Sequence, residues 1–231
     1  RKYAKNDGGI RSMSAVFCPS MMCCDFSSLE LEVSSLEQSG IDIFHCDIMD
    51  GNFVPNMALG LSDIQALRKL TNKKIDAHLM IEKPSDKVDW FIDAGADLIY
   101  IHPESERYTI KTLQHIHDRG KEAGIAINPD TSLSQIEELF PFCDYVLVMT
   151  VNPGFAGQKF IEPMDQKIEK LVQCKQEHSF QIIMDGACSD EKIEKYFTKG
   201  MDGFVLGTSA LFKKNTDYNT RMKELRRLCE G

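Results

Sequence analysis

Along the 231 residues one pattern of apolar and polar positions recurs: a short apolar run, a loop, then a stretch with helical spacing. The runs are Ala15–Cys18, Ile41–Phe44, Ile75–Leu79, Leu98–Ile101, Ile125–Ile127, Tyr145–Met149, Gln181–Met184 and Gly203–Leu206. Most are apolar nearly throughout rather than alternating, as expected for strands of a parallel sheet covered on both faces. Between them the spacing changes to three and four. Leu29, Val33 and Leu36 share one helical face, as do Val88, Phe91 and Ile92, and Met164, Ile168, Leu171 and Val172. Ser27 before Glu30 and Ser132 before Gln135 read as capping boxes. Gly40, Gly95, Gly120 and Gly200 read as helix stops.

Strand–helix alternation calls for crossover connections and hence a parallel α/β architecture. Eight units of about 29 residues each match a compact (β/α)8 barrel. The rival, an open doubly wound sheet, would carry a G-x-G-x-x-G turn after its first strand, and none is present. No linker-like stretch divides the chain. Residues 1–13 read as a flexible N-terminal leader and residues 14–231 as one barrel domain.

Composition narrows the function classes. With 27 basic and 35 acidic side chains the net charge is −8, so no basic excess is available to neutralise nucleic-acid phosphates. No run approaches the roughly 18 consecutive apolar residues of a membrane helix. The eight cysteines include no C-x-x-C pair and lie mostly in or beside apolar runs. They read as reduced thiols packed as small hydrophobes, which points to a cytoplasmic setting.

In a barrel of this kind, chemistry belongs at the C-terminal ends of strands and in the loops that follow. Polar clusters fall there repeatedly. His45–Gly51 follows the second run, Asp76–Met80 ends the third, and Asp185-Gly186 ends the seventh. Strand alternation points His45 and Asp47 one way and Cys46 the other. Imidazoles and carboxylates converging on one mouth suit a divalent metal. Buried there without partners, they would cost several kcal/mol each. Glycine-bearing loops follow the last three runs: Val151–Gln158, Gly186-Ala187 and Gly207-Thr208-Ser209. Together they can present backbone N–H groups to a phosphate, the first of them at a helix start. His102 could reach the mouth, whereas His115, His117 and His178 read as solvated or capping residues.

Several segments carry a specific resemblance: Pro19-Ser20, His45–Asn56 (HCDIMDGNFVPN), His78-Leu79-Met80, Val151–Phe160 (VNPGFAGQKF), Met184-Asp185-Gly186 and Val205–Phe212 (VLGTSALF). Over about Ser14 to Phe212 the chain resembles the ribulose-phosphate 3-epimerase family. The resemblance implies a TIM barrel of the ribulose-phosphate-binding type. It implies epimerisation of D-ribulose 5-phosphate to D-xylulose 5-phosphate at C3, in the pentose phosphate pathway, by two-carboxylate proton transfer through a metal-stabilised enediolate. His45, Asp47, His78 and Asp185 would hold one divalent metal, Zn²⁺ or alternatively Fe²⁺, Mn²⁺ or Co²⁺, and Asp47 and Asp185 would double as the acid/base pair. Ser20 and His78 would contact substrate, and Met49, Met80 and Met149 would line the pocket. Phosphate would rest on Gly154, Phe155, Ala156, Gly157, Asp185-Gly186-Ala187 and Gly207-Thr208. A homo-oligomer is implied, acting on a pentulose phosphate, with no nucleic-acid or membrane partner. Ala156, Ala187 and Thr208 stand where the family often has Gly, Gly and Ser, and an Ala at positive φ would be strained. Alternatives on the same barrel are an epimerase of a six-carbon ketose phosphate, a sugar-phosphate decarboxylase, and a non-catalytic sugar-phosphate sensor.

Overall fold

The computed structural model describes residues 14–212 and 215–230; the leader read from residues 1–13 lies outside them. Eight strands appear in chain order: β1 (Val16–Pro19), β2 (Ile43–Met49), β3 (Lys74–Met80), β4 (Leu98–Ile101), β5 (Glu122–Ile127), β6 (Tyr145–Met149), β7 (Gln181–Asp185) and β8 (Gly203–Leu206). They form one sheet in the order β1-β8-β7-β6-β5-β4-β3-β2, with every pair parallel. The two edges meet. Ser20 bridges His45, and the Asp42 N–H donates to Phe17 O at 3.0 Å. The sheet is therefore a closed barrel, and the open-sheet alternative falls.

The helices are α1 (Leu29–Gln38), α2 (Leu61–Leu70), α3 (Val88–Ala94), α4 (Thr109–Asp118), α5 (Met164–Cys174), α6 (Asp190–Thr198) and α7 (Tyr218–Leu228). Their apolar faces meet the outer face of the barrel in the main core, where Val33, Leu36, Ile168 and Leu171 are fully buried. Each such side chain contributes about 1.5–3 kcal/mol relative to exposure. Val172 sits at the edge of that contact, only partly buried. All eight cysteines are free thiols. No helix among the described residues is long and apolar enough to cross a membrane.

Local structure departs from the sequence reading in three places. Between β5 and β6 there are two 3-10 segments, Leu133–Gln135 and Glu137–Phe142, and no α-helix. Pro141 lies in the second, where it has no N–H to continue an α-helical ladder. Gln135 does reach back to the Ser132 N–H, at 3.1 Å, but the turn it closes is a 3-10 turn. Ser27 does not cap α1. Asp25 holds its N–H and hydroxyl at 2.9 and 2.6 Å, and α1 starts one residue beyond that 3-10 turn. The four glycine stops hold, all at positive φ.

The barrel interior is a second core, separate from the helix-facing one, and contains Cys18, Ile43, Leu98, Tyr100, Leu147 and Ile183. Gly124 makes room in it. A Cβ there would stand 2.5 Å from the Tyr100 ring. The Lys74–Glu122 ion pair, with Tyr145 beside it, closes the N-terminal end of the interior. The polar site occupies the opposite end.

Candidate active site

Strand β2 extends five residues beyond the apolar run that marks it, so the His-Cys-Asp-Ile-Met motif is itself strand and not the loop after one. Alternation sends His45, Asp47 and Met49 to the barrel interior, while Cys46 joins the helix-facing core. Parallel pairing then sets the neighbours: His45 stands opposite Asp76, Asp47 opposite His78, and Met49 opposite Met80. Across the mouth, Met149 on β6 is paired with Asp185 on β7.

Closure of the barrel brings four of these side chains together. One nitrogen or oxygen from each of His45, Asp47, His78 and Asp185 lies within 4.8 Å of all the others. His45 Nε2 and His78 Nδ1 are each 3.2 Å from Asp47 Oδ1, and 3.8 and 3.6 Å from Asp185 Oδ2. The Ser20 hydroxyl donates to Asp47 Oδ2 at 2.7 Å. His45 Nδ1, on the far side of its ring, stands 2.8 Å from Asp76 Oδ1. His78 Nε2 stands 2.8 Å from His102 Nε2.

The two carboxylates differ in charge preference. Burial disfavours the Asp47 charge, but His45 and His78 outweigh it and hold that carboxyl well below the usual range. Burial, and then the negative charge of Asp47, push Asp185 up to about 7. Burial lowers His78 to about 3, whereas Asp76 and Asp47 overcome burial at His45 and raise it. Burial also raises Asp76.

The donor chemistry fits a divalent cation. Two imidazole nitrogens and two carboxylate oxygens face one point, a set suited to first-row divalent metals. No Lys or Arg among the described residues lines the cleft to balance the carboxylates.

Comparison with known proteins identifies the family. The model of the ribulose-phosphate 3-epimerase family matches residues 16–212. The chain belongs to this family. Ribulose-phosphate 3-epimerase of Aquifex aeolicus is 38% identical over 208 residues, covering 89% of this chain and 94% of that protein. The Synechocystis protein of the same name is 40% identical, with coverage of 87% and 89%. The chloroplastic enzyme of Arabidopsis thaliana is 36% identical, with 91% and 76%. Among solved structures, 3-keto-L-gulonate-6-phosphate decarboxylase from Vibrio cholerae matches with a TM-score of 0.70 at 12% identity, covering 94% of this chain and 98% of that one. 3-Hexulose-6-phosphate synthase from Salmonella typhimurium matches with 0.68 at 16%, covering 93% and 98%. Identities this low speak for the barrel alone.

In this member of the epimerase family, a cleft opens above the four ligand-type side chains. Ser20, Asp47, Met49, Met80, Met149 and Asp185 line it, and so do Gly154, Phe155, Ala156, Gly157, Gly186, Ala187, Gly207 and Thr208. His45 and His78 are fully buried beneath it and do not form its wall. The 154–157 loop is not a helix start, since α5 begins only at Met164. Asn56 anchors this loop through a 2.6 Å bond to Gly154 O. Ala187 does adopt positive φ, +49°, whereas Ala156 does not. The N–H groups of Ala187 and Ser209 have no acceptor among the described residues.

Some of the surroundings escaped sequence reasoning. Cys23 and Cys188 also line the cleft, beside Asn152 and Gln158 of the 151–158 loop that the sequence had marked. Behind the site lie Tyr100, His102 and Glu104. Tyr100 is hidden in an apolar run, and Glu104 follows Pro103 as though in an ordinary turn. His102 sits at the end of that run, and only closure of the barrel shows what it touches. His115 and His117 pair with Asp89 and Asp144 on the barrel exterior, consistent with solvated roles.

Proposed function

We propose that this protein interconverts D-ribulose 5-phosphate and D-xylulose 5-phosphate by moving the proton at C3, using Asp47 and Asp185 as its two proton carriers. One observation carries the reading: two carboxylates from different strands, Asp47 and Asp185, line one cleft, and their oxygens lie within 4.8 Å of each other and of two imidazole nitrogens. Inversion at a carbon beside a ketone needs that pair, one group to take a proton from one face and another to return one to the opposite face.

In one direction the Asp47 carboxylate removes the C3 proton, the electron pair passes into the neighbouring carbonyl, and the Asp185 carboxyl then delivers its own proton to C3 from the other side. The return reaction exchanges the roles. The Ser20 hydroxyl steadies Asp47 by donating to the oxygen that does not face His45 and His78. His45 and His78, with the two aspartates, would hold one divalent cation, Zn²⁺ on the strength of two imidazole ligands. When bound, that cation supplies positive charge against the oxyanion that develops as C3 loses its proton.

Met49, Met80 and Met149, each nearly buried, form an apolar wall that keeps bulk water from the carbanionic centre. The N–H groups of Ala187 and Ser209, in a cleft that the 154–157 loop also lines, offer donors for the phosphate. His78, beneath the cleft, serves as a ligand and not as a substrate contact. The eight free thiols support a reducing, cytoplasmic setting. Residues 14–231 act as one catalytic unit, and family resemblance supports a homo-oligomer.

The direct test is incubation of zinc-loaded protein with ribulose 5-phosphate in deuterated water. Deuterium at C3 together with xylulose 5-phosphate is expected. Absence of both exchange and product would refute the assignment.

A further inference from the structure

The buried polar groups that the proton transfer leaves unused form a line. His78 turns Nδ1 toward the Asp47 and Asp185 oxygens and Nε2 away from them, to His102 Nε2 at 2.8 Å. His102 has no exposed surface, its ring lies at 25° to that of His78, and Phe53 packs against it at 4.8 Å between centroids. The opposite nitrogen, His102 Nδ1, stands 3.3 Å from Glu104 Oε2, close enough for charge attraction but without an aligned hydrogen bond, and no other acceptor meets it among the described residues. Backbone structure sets this placement. Strand β4 ends at Ile101, and the 3-10 turn Pro103–Ser105 folds back over His102, its Ser105 N–H donating to His102 O at 3.0 Å. The Glu104 carboxylate is fixed in turn by the Asn128 N–H at 3.0 Å and by the Thr131 hydroxyl.

Two imidazole nitrogens 2.8 Å apart share one proton. With a proton on both they repel, and with none there is no bond. If His78 Nδ1 is to offer a lone pair to a cation, its proton must lie on Nε2. His102 Nε2 then accepts, which puts the His102 proton on Nδ1, facing the carboxylate. The reverse arrangement would place an N–H on His78 Nδ1, aimed at the ligand point, and would leave a lone pair on His102 Nδ1 against a negative charge. Only the first direction leaves His78 Nδ1 free for a cation, and a bound cation would take the place of the proton that Nδ1 can otherwise give Asp47 Oδ1 at 3.2 Å. The geometry points to Glu104 and His102 as positioning residues that lock the His78 tautomer with Nδ1 free for the metal. A carboxylate one imidazole further back would thus do for His78 what Asp76 does directly for His45, 2.8 Å from His45 Nδ1.

This inference rests on the reading of His45, Asp47, His78 and Asp185 as a cation site, and its test separates the two. Zinc affinity is measured by chelator competition for the whole protein and for His102→Phe, His102→Gln and Glu104→Gln. Failure of the wild type to bind zinc would sink the site itself. If the relay operates, His102→Phe weakens zinc binding by about 10- to 100-fold. His102→Gln, which keeps an acceptor oxygen near the Nε2 position, recovers most of that loss, and Glu104→Gln falls between. Wild-type affinity in a folded His102→Phe would overturn the proposal. An independent reading needs no variant. Imidazole ¹⁵N shifts of the zinc-loaded protein should show His78 protonated at Nε2 and His102 at Nδ1, and a His102 proton on Nε2 would equally refute it.

Discussion

The Asp185 carboxyl links the site to stability in a way that can be measured without substrate. Burial and the Asp47 charge raise it from 3.8 to about 7. Between these pH values the folded metal-free chain keeps a proton that the unfolded chain has released. Stability from this group is therefore fully present at about pH 4 and is lost as pH rises through about 7. About three pH units at about 1.4 kcal/mol each set a ceiling near 4 kcal/mol. The side chain retains 13% exposure, so we expect about 2–4 kcal/mol. His78 works in the opposite sense. Held near 3 in the fold, its ring stays neutral while the unfolded ring takes a proton below about 6.5, and this flattens the wild-type profile. Comparison with Asp185→Asn removes that contribution, because both chains carry His78. Urea unfolding of chelator-treated protein at several pH values from 4.5 to 7 should show the wild type losing stability relative to Asp185→Asn as pH rises. Saturating zinc should abolish the trend by favouring the ionised carboxylate. Parallel pH profiles for the two metal-free proteins would refute the argument.

Three further outcomes follow from named contacts. Asp47→Asn should lower kcat at least about 100-fold, because it removes a proton carrier; near wild-type turnover by a variant with unchanged circular dichroism would remove Asp47 from the pair. Gly124→Ala pushes a methyl group to 2.5 Å from the enclosed Tyr100 ring. It should cost about 1–3 kcal/mol, read as a lower melting temperature in calorimetry. Ala187→Gly relieves a non-glycine residue at φ +49°. The strain of about 1–2 kcal/mol exceeds the added freedom of the unfolded glycine, so melting should rise slightly, by up to a few degrees.

Much of the barrel was legible because its strands are covered on both faces, which makes them short continuous apolar runs, and because each helix repeats its apolar face every three or four residues. The same rule explains the errors. Strand β2 looked as though it ended at Phe44, since His45 and Asp47 interrupt its hydrophobicity, yet those residues are strand whose inward face happens to be polar. The segment after β5 carries helix-like signals, but Pro141 turns it into 3-10 structure.

Local sequence could determine which residues are imidazoles and carboxylates, which strand ends they occupy, and which face of each strand they share. It could not bring them together. The ligand set spans β2, β3 and β7, with more than a hundred residues between Asp47 and Asp185, and only closure of the sheet places their atoms within 4.8 Å of one another. The proton preferences of Asp47 and Asp185 are likewise tertiary. The same side chain is held ionised between two histidines in one place and driven toward neutrality in the other by burial and a like charge. The Glu104–His102–His78 line was hidden for the same reason, because two of its three members lie just beyond β4 and in the turn that follows, and the third in β3. Periodicity reports how a segment meets the core. The distances that decide charge and coordination exist only once distant strands share one interior.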